Sequence, residues 1–116
     1  MTDIKRRDTN ARMSKSVSYG NLVFLAGQVG EPTSAGVQAQ TREVLAKIDA
    51  ALADAGSDKS KLLSANIWLT DITTWSQMNE VWDAWVSPGN TPARATVETK
   101  LAGPQYKVEI MVQAAK

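Results

Sequence analysis

Along the chain the hydrophobic positions change period several times, and each change predicts a different element. Ser16-Val17-Ser18-Tyr19 and Leu22-Val23-Phe24-Leu25-Ala26 read as two strands joined at Gly20-Asn21, a pair that supplies the positive φ a tight hairpin needs. The pattern breaks between Gly30 and Gly36. From there Val37, Thr41, Val44, Leu45, Ile48, Leu52 and Ala55 recur at three- and four-residue steps, which predicts a long amphipathic helix with Gly56 as its C-terminal cap. Leu63, Ala65, Ile67 and Leu69 alternate with Ser64, Asn66, Trp68 and Thr70, the spacing of a strand. A second helix opens at Thr74, with Gln77 in capping-box position and Trp75, Met78, Val81, Trp82 and Trp85 along one side. Pro88, Gly89 and Pro92 end it, and two further strands follow, one through Arg94 to Glu98 and one through Lys107 to Val112.

A hairpin followed by helix, strand, helix and two further strands predicts an α+β fold: a mixed β-sheet carrying two helices on one face. Residues 1–116 form a single domain in this reading, with residues 1–12 as an N-terminal arm. Val97 and the row Val108, Ile110, Val112 are expected to face the helices, which sends Trp68, Arg94, Thr96, Glu109 and Met111 to the uncovered side. A sheet face bearing Trp68 and Met111 calls for self-association, with a site between subunits.

Composition narrows the chemistry. The 116 residues are 43% hydrophobic, enough for one core, and 13 basic against 12 acidic side chains leave a formal charge of +1. Such a balance offers no broad footprint for nucleic acid, and the basic residues Lys5, Arg6, Arg7, Arg12 and Lys15 read as a solvated arm. With neither His nor Cys, Ser-His-Asp triads, thiolate nucleophiles and His- or Cys-ligated metals are excluded, and no metal is expected. The lack of Cys, the absence of an apolar signal core at the start and the absence of a membrane-length apolar run predict a cytoplasmic protein with no membrane partner. What remains for catalysis is a carboxylate, an amine, a guanidinium or backbone. Arg94 offers a fork of donors matched to a carboxylate, and Glu109 is an acceptor able to orient or deprotonate water.

Gly27-Gln28 after a hydrophobic strand, Gln40-Thr41, Ala55-Gly56, Met78-Asn79-Glu80-Val81-Trp82, Pro92-Ala93-Arg94-Ala95 and Val108-Glu109-Ile110 together resemble the RidA (YjgF-like) family of reactive-intermediate imine deaminases. The resemblance runs from about Arg12 to the C-terminus. It implies a chorismate-mutase-like fold, a homotrimer with clefts between subunits, and hydrolysis of 2-imino or enamino acids to 2-keto acids and ammonia without a cofactor. It also implies that Arg94 holds the substrate carboxylate, Glu109 positions the water, Asn79 lines the cavity, Gly27 makes a backbone contact, and backbone near Thr96 orients the water or the nitrogen. Two positions depart from the deaminating members: Met13 stands where they carry tyrosine and Ala26 where they carry serine. Both changes remove hydroxyls from the cavity, so substrate orientation differs or deamination weakens. The alternative is a trimer of the same family that binds a small carboxylate without turnover. A ribonuclease lacks its usual His pair here, and a chaperone role would rest on exposed apolar surface. Trp75, Trp82 and Trp85 read as helix-packing residues and Tyr106 as a turn residue.

Overall fold

The computed structural model describes residues 3–31 and 36–116. Most of the expected break between Gly30 and Gly36 lies outside the described residues. Seven strands and two helices follow in the order β1 (Ile4–Arg7), β2 (Ser16–Tyr19), β3 (Leu22–Leu25), β4 (Gln28–Val29), α1 (Gly36–Asp54), β5 (Leu62–Leu69), α2 (Trp75–Trp85), β6 (Ala93–Glu98) and β7 (Val108–Ala115). The strands form one mixed sheet in the order β1-β2-β3-β7-β5-β6, with β4 also paired to β7. Only β5 and β6 run parallel, as a crossover through α2 requires; the other pairings are antiparallel.

The hairpin and the helix cap form where glycine permits positive φ: Gly20 at 59° and Gly56 at 80°. Both helices cover one face. Val44, Leu45, Ile48 and Leu52 of α1 and Met78, Val81 and Trp82 of α2 meet Val23, Leu25, Ala65, Ile67, Leu69, Val108, Ile110 and Val112 of the sheet in one buried cluster. Gln40 is buried in this layer with its amide satisfied: Nε2 donates to the Gln105 carbonyl at 2.9 Å and Oε1 accepts from Lys107 N at 2.8 Å, which ties the loop before β7 to α1.

Several expectations change. Within the arm expected over residues 1–12, Ile4–Arg7 is a strand paired antiparallel to β2, and Arg7 Nη1 donates to Ser18 Oγ at 2.8 Å. In β5 the inward row is Leu62, Ala65, Ile67 and Leu69, while Leu63 is 48% exposed, because the register against β7 shifts between Leu62 and Ser64. Trp75, at the first turn of α2, is exposed. No capping box forms at Thr74: its hydroxyl donates to the Asp71 carbonyl, and Asp71 instead caps the 3-10 turn Ile72–Thr74 by accepting from Thr73 N at 2.9 Å.

The largest correction concerns β6. Its parallel register sets Arg94 beside Ala65 and Thr96 beside Ile67, residues whose side chains enter the helix layer, and sets Val97 beside Trp68. Paired residues share a face. Arg94 and Thr96 therefore lie on the helix side, and Val97, 49% exposed, lies on the uncovered side with Trp68, Glu109 and Met111. That uncovered face also carries Ile4, Tyr19, Leu22 and Phe24, each more than two-fifths exposed.

Candidate functional site

Arg94 sits one residue into an edge strand and reaches toward α2. Its Nη1 donates to Asn79 Oδ1 at 2.7 Å, and its guanidinium carbon lies 5.4 Å from the centroid of the Trp82 ring. Asn79 and Trp82 are three residues apart on α2, so the helix presents both to the same guanidinium. The ring itself is buried and backed by Trp85, with centroids 5.4 Å apart and planes at 52°. Trp85 is held in turn through Nε1, which donates to Asp49 Oδ2 at 3.0 Å. Arg94 makes no ion pair among the described residues. Thr96, two residues on and on the same face, has a buried hydroxyl with no hydrogen-bond partner among the described residues.

Glu109 belongs to the other side of the sheet. It pairs with Trp68 across β5 and with Val29 across β4, and its carboxylate lies directly over Gly27: a Cβ there would overlap Glu109 Oε2. A hollow of about 240 Å³ joins Glu109 and Trp68 to Thr99, Lys100, Leu101 and Ala102. The same loop, from Thr99 through Pro104, also lines a larger hollow of about 640 Å³ with Thr70 and Glu98. Neither contains Arg94.

Of the residues expected at the site, the fold brings together Arg94 with Asn79 and Glu109 with Gly27, as two separate clusters. By strand spacing and rise the α-carbons of Arg94 and Glu109 are about 14 Å apart, on opposite faces. Met13 lies elsewhere, half-exposed in a turn where Asn10 Oδ1 accepts from the backbone of Arg12 and Met13. Ala26 is spent on structure through its backbone: its N–H donates to the Lys15 carbonyl and its carbonyl accepts from Gln28. Three contributors were not anticipated: Trp82 as a contact of Arg94, the Thr99–Ala102 wall of the Glu109 hollow, and Gln40 as the brace of the loop behind it. Only Gln40 had a visible signal, a polar residue on the apolar stripe of a helix. Among the described residues no group of three or more His, Cys, Asp or Glu side chains is placed to hold a metal ion, and no helix is long and apolar enough to cross a membrane.

Chemically, the Arg94 cluster can take an anion with a planar pair of acceptors, because the side chain is charged, oriented and lacks a carboxylate partner. The Glu109 cluster can hold a water or a proton beside an indole wall.

Comparison with known proteins identifies the family. The family model described as Endoribonuclease L-PSP matches residues 4–116. A RutC family protein from Haemophilus influenzae is 46% identical over 112 residues, covering 96% of this chain and 97% of its own. The RutC family protein YoaB of Escherichia coli is 45% identical over 112 residues, with 97% of each chain covered. Among solved structures, a YjgF-family protein from Neisseria meningitidis is 47% identical and superposes with a TM-score of 0.95 over 98% of this chain and 95% of that one.

Proposed function

The chain belongs to the Endoribonuclease L-PSP family, which takes in RutC and YjgF proteins, and from that premise we propose that it hydrolyses reactive 2-imino and enamino acids to 2-keto acids and ammonia. The reaction takes place in clefts between the subunits of a homotrimer with the chorismate-mutase-like arrangement, in the cytoplasm and without a cofactor.

One observation carries the reading: Arg94 is an oriented guanidinium with no carboxylate of its own. Asn79 occupies Nη1, while Nε and Nη2 have no hydrogen-bond partner among the described residues. A half-buried arginine serving stability alone would be expected to meet an acidic side chain. The separation of Arg94 from Glu109 supports the intersubunit cleft, since the two reach one small molecule only if Arg94 comes from one copy and Glu109 from the next. The apolar uncovered face, with Leu22, Phe24 and Val97, supplies the surface on which the copies meet.

In the cleft Arg94 holds the substrate carboxylate and so fixes the C=N carbon against the Glu109 carboxylate. Glu109 accepts a proton as water adds to that carbon of the N-protonated imine, and the C=N bond opens to a neutral tetrahedral carbinolamine. Glu109 gives that proton to nitrogen, and as the C–N bond breaks to release ammonia and the C=O forms, the hydroxyl proton passes back to Glu109. A 2-imino acid is already electrophilic, so orientation and one acid-base group suffice. The chain supplies an alanine methyl at position 26 and a half-exposed methionine at position 13, so orientation rests on Arg94 and on backbone near Gly27 and Thr96 rather than on side-chain hydroxyls.

The test is release of ammonia and keto acid from freshly generated imino acids by wild type and Arg94→Ala. Wild type should accelerate hydrolysis and the variant should not. No acceleration above buffer across several side-chain classes overturns the catalytic reading, and carboxylate binding without turnover supports a ligand-binding trimer instead.

A further inference from the structure

An arginine that binds a carboxylate through two parallel hydrogen bonds works only if the plane of its guanidinium is set before the ligand arrives. The Arg94 side chain has several rotatable bonds, and a single hydrogen bond to Asn79 leaves the plane free to swing about the Nη1 to Oδ1 line. A second constraint is needed, and the face of Trp82, 5.4 Å from the guanidinium carbon, is in the position to supply it. A guanidinium is attracted to the negative face of an indole ring. We infer that Trp82 is a positioning residue of the carboxylate site, setting the guanidinium plane so that the Nε–Nη2 edge of Arg94 meets the ligand side-on. The inference rests on the functional reading above, which uses Arg94 but assigns nothing to Trp82.

The surroundings of the ring suit that role. Trp82 is 4% exposed, between Val81 and the core on α2, so its own plane is held by packing. Behind it Trp85 packs tilted at 5.4 Å and is pinned by the Nε1 bond to Asp49, while Lys59 Nζ lies 5.4 Å from the centroid of Trp85. The result is a ladder of cation, ring, ring and cation that ends at Arg94. Because Asn79 accepts at Nη1, the nitrogen on the Cδ side, the edge left open is the one formed by Nε–H and Nη2. Side-on recognition of a carboxylate by that edge leaves the Asn79 contact undisturbed, and it happens on the edge strand β6, beyond which no strand follows among the described residues.

Trp82 is a core residue, so its truncation to Ala confounds positioning with unfolding. The pair Trp82→Leu and Trp82→Phe separates them, since Leu keeps an apolar side chain but removes the ring face, and Phe restores a face. Each is compared with wild type for kcat and KM on a 2-imino acid, for affinity toward the product 2-keto acid by calorimetry, and for fold by circular dichroism and melting temperature. The expectation is a rise of roughly tenfold in KM and in keto-acid Kd for Trp82→Leu at little-changed kcat, with Trp82→Phe recovering most of it. Carboxylate-dependent change in tryptophan fluorescence should also fall sharply in Trp82→Phe. Folded Trp82→Leu with wild-type KM and Kd overturns the inference while leaving the deaminase reading intact. A loss in both variants that tracks melting temperature alone likewise overturns it, as a purely structural effect. Wild type that neither turns over imino acids nor binds keto acids removes the functional reading, and this inference with it.

Discussion

The carboxylate of Glu109 rests on the backbone of Gly27, so closely that even one methyl group at Gly27 would occupy the space of Oε2. Glycine is required at this position for the approach of the two groups, and the Glu109 carboxylate packs against a neighbour that has no side chain.

Gly27→Ala should therefore displace the Glu109 carboxylate while Arg94, on the other face, keeps its geometry. The expected result is a fall in kcat of about 10²-fold, the size that a misplacement of about 1 Å produces, with keto-acid affinity little changed. Steady-state kinetics beside calorimetry checks this. Equal loss of both would show that Gly27 acts through the fold.

Replacement of the same carboxylate by an amide gives a sharper split. Glu109→Gln keeps size and most contacts but removes the proton acceptor, so turnover should drop by about 10²–10⁴-fold while keto-acid binding is retained. If wild type and Glu109→Gln hydrolyse imino acids equally, at the background rate, the protein binds carboxylates without turning them over.

The uncovered sheet face predicts assembly. Phe24 pairs with Gln113 on that face and is 42% exposed in the single chain. Phe24→Glu would bury a charge against a second copy, and an unpaired buried charge is costly. Sedimentation should show a trimer for wild type and a monomer for the variant, with deaminase activity lost in parallel although no residue of either cluster has changed. A wild-type monomer at micromolar concentration contradicts both the homotrimer and the shared cleft.

At the start of α2, Asp71 is exposed, and the hydroxyl and backbone N–H of Thr73 hold its carboxyl below the ordinary value of 3.8. A group whose pKa is lowered by folding contributes stability above its unfolded pKa and loses it as pH falls through the folded one. Wild type should accordingly lose stability on acidification from about pH 5 to pH 3 more steeply than Asp71→Ala, which should be modestly less stable at neutral pH. Urea midpoints at several pH values measure both. Parallel pH curves would show that Asp71 does not cap the turn.

Sequence reasoning located nearly every element because the signals for them are local. Val37 through Ala55 show the period of a helix, and Gly20 and Gly56 stand where the backbone takes positive φ. The family was also legible from short motifs. Thr74 does stand at the start of α2, but the capping box expected there does not form, because its hydroxyl donates to the Asp71 carbonyl within the preceding 3-10 turn.

What the sequence by itself determined is most of the elements, all but the short strands β1 and β4, the single mixed sheet with its two helices, and the residue types available for chemistry. What only the tertiary structure decided is which way the strands turn. Alternation says that Arg94 and Thr96 share a face and that Val97 takes the other, but not which face is which. Hydrophobicity alone sends Val97 inward, whereas pairing with a strand 29 residues earlier in the chain, Ala65 against Arg94 and Trp68 against Val97, sends it outward. A one-residue change of register reverses every side chain of a strand. It is set by contacts distant in sequence, such as the shift at Leu62 that also exposes Leu63. For the same reason the chain alone could not show that Arg94 leans on Asn79 and Trp82 while Glu109 leans on Gly27, on opposite sides of one sheet.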